Sequence, residues 1–476
     1  MELKDFKNKK ITVMGLGLNG GGLGVVNFLL EQKAKVIVTD LKSKDELDYS
    51  LNKIKKNKNI KFILGQHRLE DFKNTDMVIK NPAVPENSKY LKVAKENNIP
   101  IETEITLFLN LCSAPIIGVT GSKGKSTVVT LLTELLRKEH KNVILAGNIR
   151  RSALGQLKKI SKKSLVVLEL SSWQLSDLKK HKKSPHISVI TNILSDHQNR
   201  YFGMDDYIED KKQIFKWQKK DDYLILNYND EILRDLEKEI KAKVIFYSKF
   251  FPDLGFNKIG AFIEDGKIFY KSKENKICSV NQVKVKGDHN LQNILAAVTI
   301  AKLYKISNKG IIKTLREFNG VEGRLELVAK INGVEYINDT TATIPEATIA
   351  ALNSIPKQKD KNIILITGGT DKKLDFEKLI DPIIKKVKIL VLLEGSATQK
   401  IESKIKKINQ DKIPLTIGPF ASLEQALFKA SSLSKNGDKI LLSPASSSFE
   451  LFKNEFERGE IFKKTVKKIK NETIPT

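Results

Sequence analysis

The chain has 476 residues, and its 83 Lys and Arg against 56 Asp and Glu give a formal net charge of +27 at pH 7. This length exceeds what a single hydrophobic core supports, so we expect roughly two to four domains. The 40% hydrophobic content is typical of a globular chain, and no apolar run approaches the ~18 residues that span a bilayer. The composition therefore excludes a disordered chain and a membrane-spanning one.

The basic balance could indicate nucleic-acid binding. However, the lysines are spread along the whole chain and form no basic stripe interleaved with aromatic residues. We therefore expect solvated surface lysines, with neither a nucleic-acid nor a membrane partner. The two cysteines, Cys112 and Cys278, have no CxxC companion, which fits a reducing compartment. Because the N-terminus is not typical of a signal peptide, we expect a cytoplasmic protein. We also expect a monomer.

Residues 1–112 are predicted to form a first α/β domain. The strand Lys10–Met14 leads into the turn Gly15-Leu-Gly-Leu-Asn-Gly20, and a helix near Val25–Gln32 follows before the strand Lys35–Asp40. A G-x-G-x-x-G turn after a strand, with an acidic residue at the end of the next strand, has the spacing of the dinucleotide-binding fingerprint. The motif alone leaves two readings open, a nucleotide or nucleotide-sugar site and an ordinary turn of a doubly wound sheet.

A second loop of this domain begins at Asn81, directly after the predicted strand Asp76–Lys80. Loops at the carboxyl ends of parallel strands line ligand crevices in open α/β sheets. The candidate substrate-binding residues of the first domain are therefore Gly17, Asp40, which could bond a ribose hydroxyl, and Asn81.

Residues 113–321 are predicted to form a second α/β domain around a glycine-rich loop. The loop lies between the apolar run Pro115–Ile117 and the helix-like run Val128–Leu136. In this arrangement backbone N–H groups and the helix N-terminus face an anion, Lys125 supplies a charge, and the Ser126 hydroxyl can reach a magnesium ion. Val119 replaces the first glycine of the common G-x-x-x-x-G-K-S pattern, so the loop has a shorter form. The expected phosphate contacts are Gly121, Ser122, Lys123, Gly124, Lys125, Ser126 and Thr127.

Further polar residues of this domain follow predicted strands or lie on predicted helices. Glu169 ends the strand that begins at Leu165 and is well placed to hold Mg²⁺, the alternative being a glutamate that faces solvent. His197 lies beside Asp196 after the strand Ile187–Thr191.

Two predicted helices of the second domain carry candidate residues. A helix over Asp205–Trp217 places Lys211 one turn after Tyr207, although Lys211 by itself would be judged a solvated lysine. Another helix begins at Gly287, and its Asn290 and Asn293 share one face. These two amides could contact a base or a ribose, or cap the helix.

Residues 322–476 are predicted to form a third α/β domain. Strands are predicted at Glu335–Asn338, Asn362–Thr367, Ile389–Leu393 and Lys439–Leu442. Amphipathic helices are predicted at Glu346–Leu352, Phe376–Lys386, Ser422–Ser432 and Phe449–Phe456. Strands that alternate with helices predict a mostly parallel sheet, with polar ligand loops at its carboxyl edge.

Taken in their order along the chain, the polar loops of the three predicted domains resemble those of the Mur ligases of peptidoglycan synthesis. The shared pattern is Thr-Gly-x-x-Gly-Lys-Ser, then Glu169-Leu-Ser-Ser, Asp196-His197, His289-Asn290-x-x-Asn293, Arg324 and Asn338-Asp339. The resemblance covers nearly the whole chain and is strongest to the branch that adds glutamate to UDP-N-acetylmuramoyl-L-alanine. It implies an α/β protein of three consecutive domains with mostly parallel sheets: a Rossmann-like N-terminal domain, a central phosphate-loop ATPase domain and a Rossmann-like C-terminal domain.

The resemblance also implies an activity and roles for individual residues. The expected enzyme joins D-glutamate to UDP-N-acetylmuramoyl-L-alanine through an acyl phosphate, with ATP and Mg²⁺. Lys125, Glu169, His197 and Lys211 are the expected catalytic residues. Ser126, Glu169, His197 and a carbamylated Lys211 would serve the metal. The nucleotide contacts implied are Asn290, Asn293, Arg324 and Asp339, and the muramoyl and glutamate contacts implied are Asn148, Thr343, Lys372 and Ser448.

Several positions depart from the family pattern. Thr341 stands where the family carries a lysine, Gly323 precedes Arg324 in place of a histidine, Arg150 replaces a glycine, and Glu455 occupies an aromatic position. Most of these lie near the amino-acid or muramoyl residues, so the glutamate enantiomer stays open, with an L-glutamate variant as the alternative. A folylpolyglutamate-like ligase is disfavoured by the domain that precedes the phosphate loop. A non-catalytic nucleotide-binding protein is disfavoured by the complete set of metal residues.

Overall fold

The computed structural model describes residues 2–18, 20–149, 151–194, 203–285, 287–356, 360–371, 374–408 and 413–472. The chain divides into two compact units, residues 1–318 and 319–476. The predicted boundary at residues 112 and 113 lies inside the first unit and stays a prediction, as does the boundary at 321 and 322. Along the described ranges, no helix combines the length and the apolar character needed to cross a membrane.

The first sheet is parallel and has the strand order β3-β2-β1-β4-β5. Its strands are β1 Lys10–Met14, β2 Lys35–Asp40, β3 Ile60–Leu64, β4 Met77–Lys80 and β5 Ile101–Glu102. Its helices are α1 Gly21–Glu31, α2 Asp48–Leu51, α3 Glu70–Lys73, α4 Lys89–Glu96 and α5 Glu104–Leu111. The strand order reverses between β1 and β4, so the loops after these two strands lie side by side at a topological switch point.

The second sheet has the order β14-β13-β12-β11-β10-β9-β6-β8-β7 and is parallel from β12 to β7. Its strands are β6 Ile116–Thr120, β7 Val143–Gly147, β8 Leu165–Glu169, β9 Ile187–Ile190, β10 Tyr223–Asn227, β11 Lys243–Ser248, β12 Ile259–Glu264, β13 Lys267–Tyr270 and β14 Ser272–Ser279. Its helices are α6 Lys125–Leu136, α7 Ala153–Gln156, α8 Ser172–Ser176, α9 Met204–Lys212, α10 Glu231–Asp235, α11 Asp288–Leu303 and α12 Asn308–Glu317. Strands β6 and β8 are buried throughout, as expected for parallel strands covered on both faces.

The third sheet has the order β15-β16-β20-β17-β18-β19, and its one antiparallel pair among the described strands is β15 with β16. Its strands are β15 Glu326–Ile331, β16 Val334–Asn338, β17 Ile363–Gly368, β18 Val387–Leu393, β19 Leu415–Phe420 and β20 Lys439–Leu442. Its helices are α13 Pro345–Ser354, α14 Glu377–Lys386, α15 Ser396–Ile405, α16 Leu423–Ser432 and α17 Glu455–Glu472. The predicted mostly parallel α/β architecture is therefore confirmed.

The prediction of a helix over Phe449–Phe456 is wrong. The backbone N–H groups of Leu451 and Phe452 both donate to the Ser448 carbonyl, which closes a turn. Helix α17 begins only at Glu455, because Asn454 Oδ1 accepts the N–H groups of the next residues at 3.0 Å and thereby caps the helix.

Other element boundaries also differ from the predictions. Helix α9 ends at Lys212 and does not reach Trp217, whose N–H instead donates to the Ser184 hydroxyl at 3.1 Å. The edge strands β15 and β19 were not predicted. Both carry exposed residues along their length, and β19 is buried at none of its positions, so neither shows the apolar pattern of a central strand.

Candidate functional site

The glycine-rich loop joins the end of β6 to the start of α6, and two of its glycines are required by close contacts. Gly124 has a φ of 86°, and a Cβ there would lie 2.1 Å from Oδ1 of Asn293. Gly121 has a φ of 142°, and a Cβ there would lie 1.9 Å from Oγ1 of Thr191. A side chain at either position would therefore displace the loop from its neighbours.

Lys125 is the first residue of α6, and its ammonium group lies over the loop. Its Nζ donates to the carbonyl oxygens of Gly121 at 2.8 Å and Ser122 at 3.0 Å. Ser126 follows it in the first turn of the helix and is 7% exposed, and Thr127 is half-buried. A charge and a hydroxyl thus stand at a helix N-terminus that faces the loop, which is the arrangement that binds phosphate groups.

The loop is fixed from behind by the chain that follows β9. Asn192 Oδ1 accepts the backbone N–H of Lys123 at 2.9 Å, and the Thr191 hydroxyl donates to the Lys123 carbonyl at 2.6 Å. The Ser122 hydroxyl accepts the N–H of Leu194 at 2.9 Å. These bonds hold the loop in one conformation before any phosphate binds.

Tyr207 connects α9 to the same loop, and Lys211 lies beside the Tyr207 ring. The hydroxyl oxygens of Ser122 and Tyr207 are 2.9 Å apart, and Lys211 Nζ lies 4.5 Å from the centroid of the Tyr207 ring. Lys211 is 1% exposed. The alternative that Lys211 is a solvated surface lysine is therefore wrong.

Glu169 ends β8, the strand beside β6, and is 2% exposed. Its Oε1 accepts the side-chain amide of Asn148 at 2.9 Å, and its backbone carbonyl accepts the Asn148 N–H at 2.9 Å. Among the described residues, its Oε2 is buried without a hydrogen-bond partner. The alternative of a glutamate that faces solvent is thus wrong. Because a buried anionic oxygen needs a partner, this one suits a bound cation.

The predicted metal set is only partly described. Asp196, His197 and Arg150 lie outside the described residues, and so does Lys372. Within the described part of the chain, no group of three or more His, Cys, Asp or Glu side chains could hold a metal ion. The assignment of His197 and of a carbamylated Lys211 to the metal therefore stays a prediction.

The two predicted nucleotide amides lie in the first half of α11. Asn293 is 6% exposed and borders Gly124, while Asn290 is half-buried one turn earlier. Residues three apart on a helix share a face, so both amides are directed to the side of α11 that meets the phosphate loop.

The structure brings Gly17, Asp40 and Asn81 together at the carboxyl edge of the first sheet. The N–H groups of Gly17 and Lys42 donate to the two carboxylate oxygens of Asp40, each at 3.0 Å. Asn81 lies against the glycine turn, since a Cβ on Gly15 would come within 2.8 Å of its Cβ. Asp40 thus holds the turn in shape, and its remaining lone pairs are what a ribose hydroxyl could use.

In the second unit, the loops after β16, β20 and β17 leave the same edge of three neighbouring parallel strands. Asp339 links two of them: its Oδ2 accepts the Ser443 hydroxyl at 2.7 Å and its Oδ1 accepts the Leu325 N–H at 3.1 Å. Burial raises the pKa of Asp339 to about 7, against the opposing effect of these hydrogen bonds. Arg324 is exposed near this carboxyl and lowers the same pKa.

The two described residues predicted to hold glutamate lie in these loops. Thr343 is half-buried after β16. Ser448 follows β20, and its hydroxyl is buried without a partner among the described residues. An unsatisfied buried hydroxyl is a candidate ligand contact.

The role of Arg458 was missed by reasoning from the sequence. Its side chain is fully buried, donates from Nη2 to the Thr340 carbonyl at 2.8 Å, and donates from Nε to the Thr340 hydroxyl at 3.1 Å. Burial lowers the pKa of Arg458 to about 10. The Arg458-Gly459 pair in an otherwise lysine-rich helix was the available signal.

The loop between β6 and α6, next to a buried carboxylate on a neighbouring strand, defines the class of the site. It is the phosphate-binding arrangement of α/β nucleotide-binding proteins. Matches to family profiles assign the chain to one family within this class of nucleotide-binding proteins. The profile described as Mur ligase MurD-like, N-terminal domain, matches residues 9–103; Mur ligase middle domain matches 119–301; and Mur ligase, glutamate ligase domain, matches 323–446. The chain belongs to the Mur ligase family.

Similar sequences cover nearly the whole chain. A protein of Roseiflexus sp. (strain RS-1) named UDP-N-acetylmuramoylalanine–D-glutamate ligase is 42% identical over 464 residues, which are 96% of this chain and 98% of the relative. A protein of the same name from Borreliella afzelii (strain PKo) is 41% identical over 98% of this chain and 99% of its own length.

Solved structures share the fold. The UDP-N-acetylmuramate-alanine ligase MurC of Thermotoga maritima aligns with a TM-score of 0.62 at 19% identity, over 98% of this chain and all of its own. The MurF ligase of Thermotoga maritima, solved in complex with ADP, aligns with a TM-score of 0.53 at 17% identity, over 98% of this chain and 97% of its own.

Proposed function

We propose that the chain is an ATP-dependent ligase that joins D-glutamate to UDP-N-acetylmuramoyl-L-alanine in peptidoglycan precursor synthesis. The shared name of the full-length relatives supports the choice of substrates. One observation carries the chemistry. One carboxylate oxygen of Glu169, buried and without a hydrogen-bond partner among the described residues, lies on the strand next to the glycine-rich loop that carries Lys125.

The proposed reaction has two steps. The terminal carboxylate of the L-alanine residue attacks the γ-phosphorus of ATP, so that ADP leaves and an acyl phosphate forms. The uncharged amine of D-glutamate then attacks the acyl carbon, phosphate leaves, and the nitrogen releases a proton as the amide bond forms. Both steps build negative charge on phosphate oxygens, so fixed positive groups lower the barrier more than mobile ones.

In the first step, Lys125 and the N–H groups of the loop would hold the phosphates. The Lys125 ammonium already lies within 3.0 Å of two loop carbonyls, from which it can turn to a nearby phosphate oxygen. The hydrogen bonds behind the loop, from Asn192 and Thr191, supply its rigidity. Because the charge is positioned before the reaction, little reorganisation accompanies it.

Magnesium fits the residues present, because in the described part of the chain no donor reaches Glu169 Oε2, and Ser126 supplies a hydroxyl at the start of α6. We assign Glu169, Ser126, His197 and a carbamylated Lys211 to its binding. When bound, the ion would neutralise charge on the transferring phosphate. Lys211 is assigned from the family pattern and lies buried beside Tyr207.

The remaining roles are proposed for the other residues predicted from the sequence. The sugar nucleotide is assigned to Gly17, Asp40, Asn81 and Asn148. The nucleotide base and ribose of ATP are assigned to Asn290, Asn293, Arg324 and Asp339. Glutamate is assigned to Thr343, Lys372 and Ser448, because a lysine and hydroxyls suit a dianionic amino acid. We further propose a cytoplasmic monomer without nucleic-acid or membrane partners, since all three substrates are small anions.

The test is phosphate release from ATP with Mg²⁺ and UDP-N-acetylmuramoyl-L-alanine, with D-glutamate and L-glutamate in parallel reactions. We expect turnover with D-glutamate alone. Turnover with L-glutamate alone would leave the proposed mechanism intact but contradict the assignment of D-glutamate as the substrate. If neither enantiomer supports phosphate release in protein that binds ATP, the assignment of UDP-N-acetylmuramoyl-L-alanine as the acceptor is wrong.

A further inference from the structure

Glu104 is a buried carboxyl group outside the site described so far. It is the first residue of α5, it is 8% exposed, and its Oε1 accepts the Ser152 hydroxyl at 2.5 Å. The same oxygen accepts the N–H of Leu154 at 3.4 Å. Glu104 therefore connects the chain that follows the first sheet to the segment 152–154.

The same group lies against α1, the helix that follows the glycine turn. A Cβ on Gly21 would lie 3.2 Å from Glu104 Oε2, and a Cβ on Gly24 would lie 1.8 Å from the Ser152 hydroxyl oxygen. Ser152 is therefore seated directly on the backbone of α1. A glycine at position 24 is required for this contact.

Segment 152–154 also leads back to the predicted substrate residues. It begins a few residues after Asn148, which Glu169 holds by two hydrogen bonds. The chain of contacts thus runs from the glycine turn through α1 and Ser152 to the loop that carries Asn148. A shift at Ser152 would move two predicted parts of the sugar-nucleotide site relative to each other.

We propose that Glu104 is a positioning residue for the sugar nucleotide, which through Ser152 holds the glycine turn and the Asn148 loop at one fixed separation. The inference rests on the proposed function, since it takes the glycine turn and Asn148 to bind UDP-N-acetylmuramoyl-L-alanine. Glu104 would contact none of the reacting atoms and would affect the binding of the sugar nucleotide only.

The charge state of Glu104 supports this role. Burial raises the pKa of its carboxyl to about 7, while hydrogen bonds from Ser152 and from the backbone of residues 153–154 oppose the shift. Gly21, Ser152 and Leu154 face it from the neighbouring elements, and no charged group among the described residues contributes to the shift. An uncharged carboxyl beside the start of α1 does not repel a diphosphate, whereas an ionised one does.

The test measures KM for UDP-N-acetylmuramoyl-L-alanine and for ATP in steady-state phosphate release. Glu104→Ala and Ser152→Ala should each raise KM for the sugar nucleotide by about tenfold, and KM for ATP and kcat should stay within about twofold. The double variant should raise this KM no more than the more affected single variant does, because the hydrogen bond between Glu104 and Ser152 is already lost in each of them. Glu96→Ala, an exposed change on α4, is the matched control and should change neither KM.

The conservative variant Glu104→Gln separates positioning from folding. Glu104→Gln keeps the oxygen that accepts the Ser152 hydroxyl, so at pH 6.5 its KM for the sugar nucleotide should be close to that of the wild-type protein. The wild-type protein should lose affinity for the sugar nucleotide as pH rises above 7, whereas Glu104→Gln should not. If Glu104→Ala does not fold, this pH profile and Ser152→Ala decide the question.

Calorimetric titration with UDP-N-acetylmuramoyl-L-alanine distinguishes this inference from the proposed function. If the protein binds the sugar nucleotide but does not turn it over, the proposed reaction fails, and the Kd values of the same variants still test Glu104. Unchanged Kd or KM in Glu104→Ala and Ser152→Ala would overturn the positioning role. Equal losses for both substrates would also overturn it, because they indicate general destabilisation. A protein that does not bind the sugar nucleotide at all would overturn both proposals.

Discussion

Neighbouring residues fix the positions of individual side chains at the predicted phosphate site. One carboxylate oxygen of Glu169 is buried and has no hydrogen-bond partner within the ranges that the structure describes, while the Asn148 amide donates to the other. Lys125 is held over the loop by two carbonyls, and Lys211 is buried beside Tyr207. Burying charged groups in this way destabilises the fold, so a protein retains them where a ligand completes the site.

Lys125→Ala should abolish ATP turnover. Removing one charge aimed at the transferring phosphate should reduce kcat by at least about a hundredfold. The measurement is phosphate release with all three substrates. Lys138→Ala, just beyond the end of α6, is the control and should leave kcat unchanged. Undiminished turnover in Lys125→Ala would refute the assignment of the phosphate loop.

Lys211→Ala should abolish ligation, and small carboxylic acids such as acetate should restore part of it. A carbamate on Lys211 is a carboxylate attached to a buried side chain, and a free carboxylate can enter the space that the truncated side chain leaves. Lys212→Ala is the matched control, since Lys212 pairs with Glu239 at 2.8 Å on the adjoining surface. Full activity of Lys211→Ala without added acid would contradict the carbamate role.

Elements are joined to the sites by buried polar links between distant segments. Lys80, the last residue of β4, pairs with Asp177 at 2.7 Å, and both side chains are less than a tenth exposed. Helix α17 is tied through Arg458 to the loop after β16, and its Arg458 Nη1 also lies 3.5 Å from the carbonyls of Ser446 and Ser447. Loops that are predicted to bind ligands are thus fixed by segments remote in sequence.

The Arg458 link predicts a large effect on the second unit. Arg458→Met should destabilise it by about 3–5 kcal/mol, because the guanidinium satisfies buried oxygens that methionine leaves without donors. Arg458→Lys should recover only part of this loss, since an ammonium lacks the planar fork of donors. Urea unfolding measures both changes. A loss below about 1 kcal/mol for Arg458→Met would contradict the role given to this residue.

The whole molecule combines a strongly basic surface with a few buried carboxyl groups. Many lysines of the described chain form exposed ion pairs, such as Lys42 with Glu46 and Lys92 with Glu96. Such pairs contribute little to stability. Two buried carboxyls, Glu104 in the first unit and Asp339 in the second, instead have a pKa near 7 because of burial. The pH dependence of folding should therefore follow the buried groups more than the surface.

Stability should fall as pH rises from about 4.5 to about 7. The folded state keeps a proton on Glu104 that the unfolded state, with its ordinary pKa of 4.5, has already released. Glu104 thus contributes stability that is present below about pH 4.5 and lost as pH passes its folded pKa. Glu104→Gln should remove about 3 kcal/mol of this dependence.

The measurement is urea unfolding of the protein and of Glu104→Gln between pH 5 and pH 8, followed by a probe in the first unit. Asp339→Asn should flatten the profile of the second unit for the same reason. A profile of Glu104→Gln parallel to that of the unmodified protein would contradict a folded pKa near 7. Glu96→Gln serves as an exposed control.

Much of the fold and part of the site could be predicted from local patterns. The predicted strands Lys35–Asp40 and Lys439–Leu442 match the structure, because the polar residues that flank an apolar run mark where the strand begins and ends. The phosphate loop could be predicted because its glycines, lysine and serine are adjacent in sequence. The start of α17 could not be predicted, since it is set by capping hydrogen bonds that the N–H groups of Phe456 and Glu457 donate to Asn454 Oδ1.

Neighbouring residues alone were enough to predict the α/β class, the glycine-rich loop and the order of the polar loops along the chain, because each of these features depends on residues that are adjacent in sequence. The contacts between distant side chains, in contrast, became visible only in the folded chain. Ser122 meets Tyr207 across 85 residues, Glu104 meets Ser152 across 48, and Thr340 meets Arg458 across 118. Such contacts depend on strand order and on helix packing, which bring together residues whose local sequences carry no record of each other.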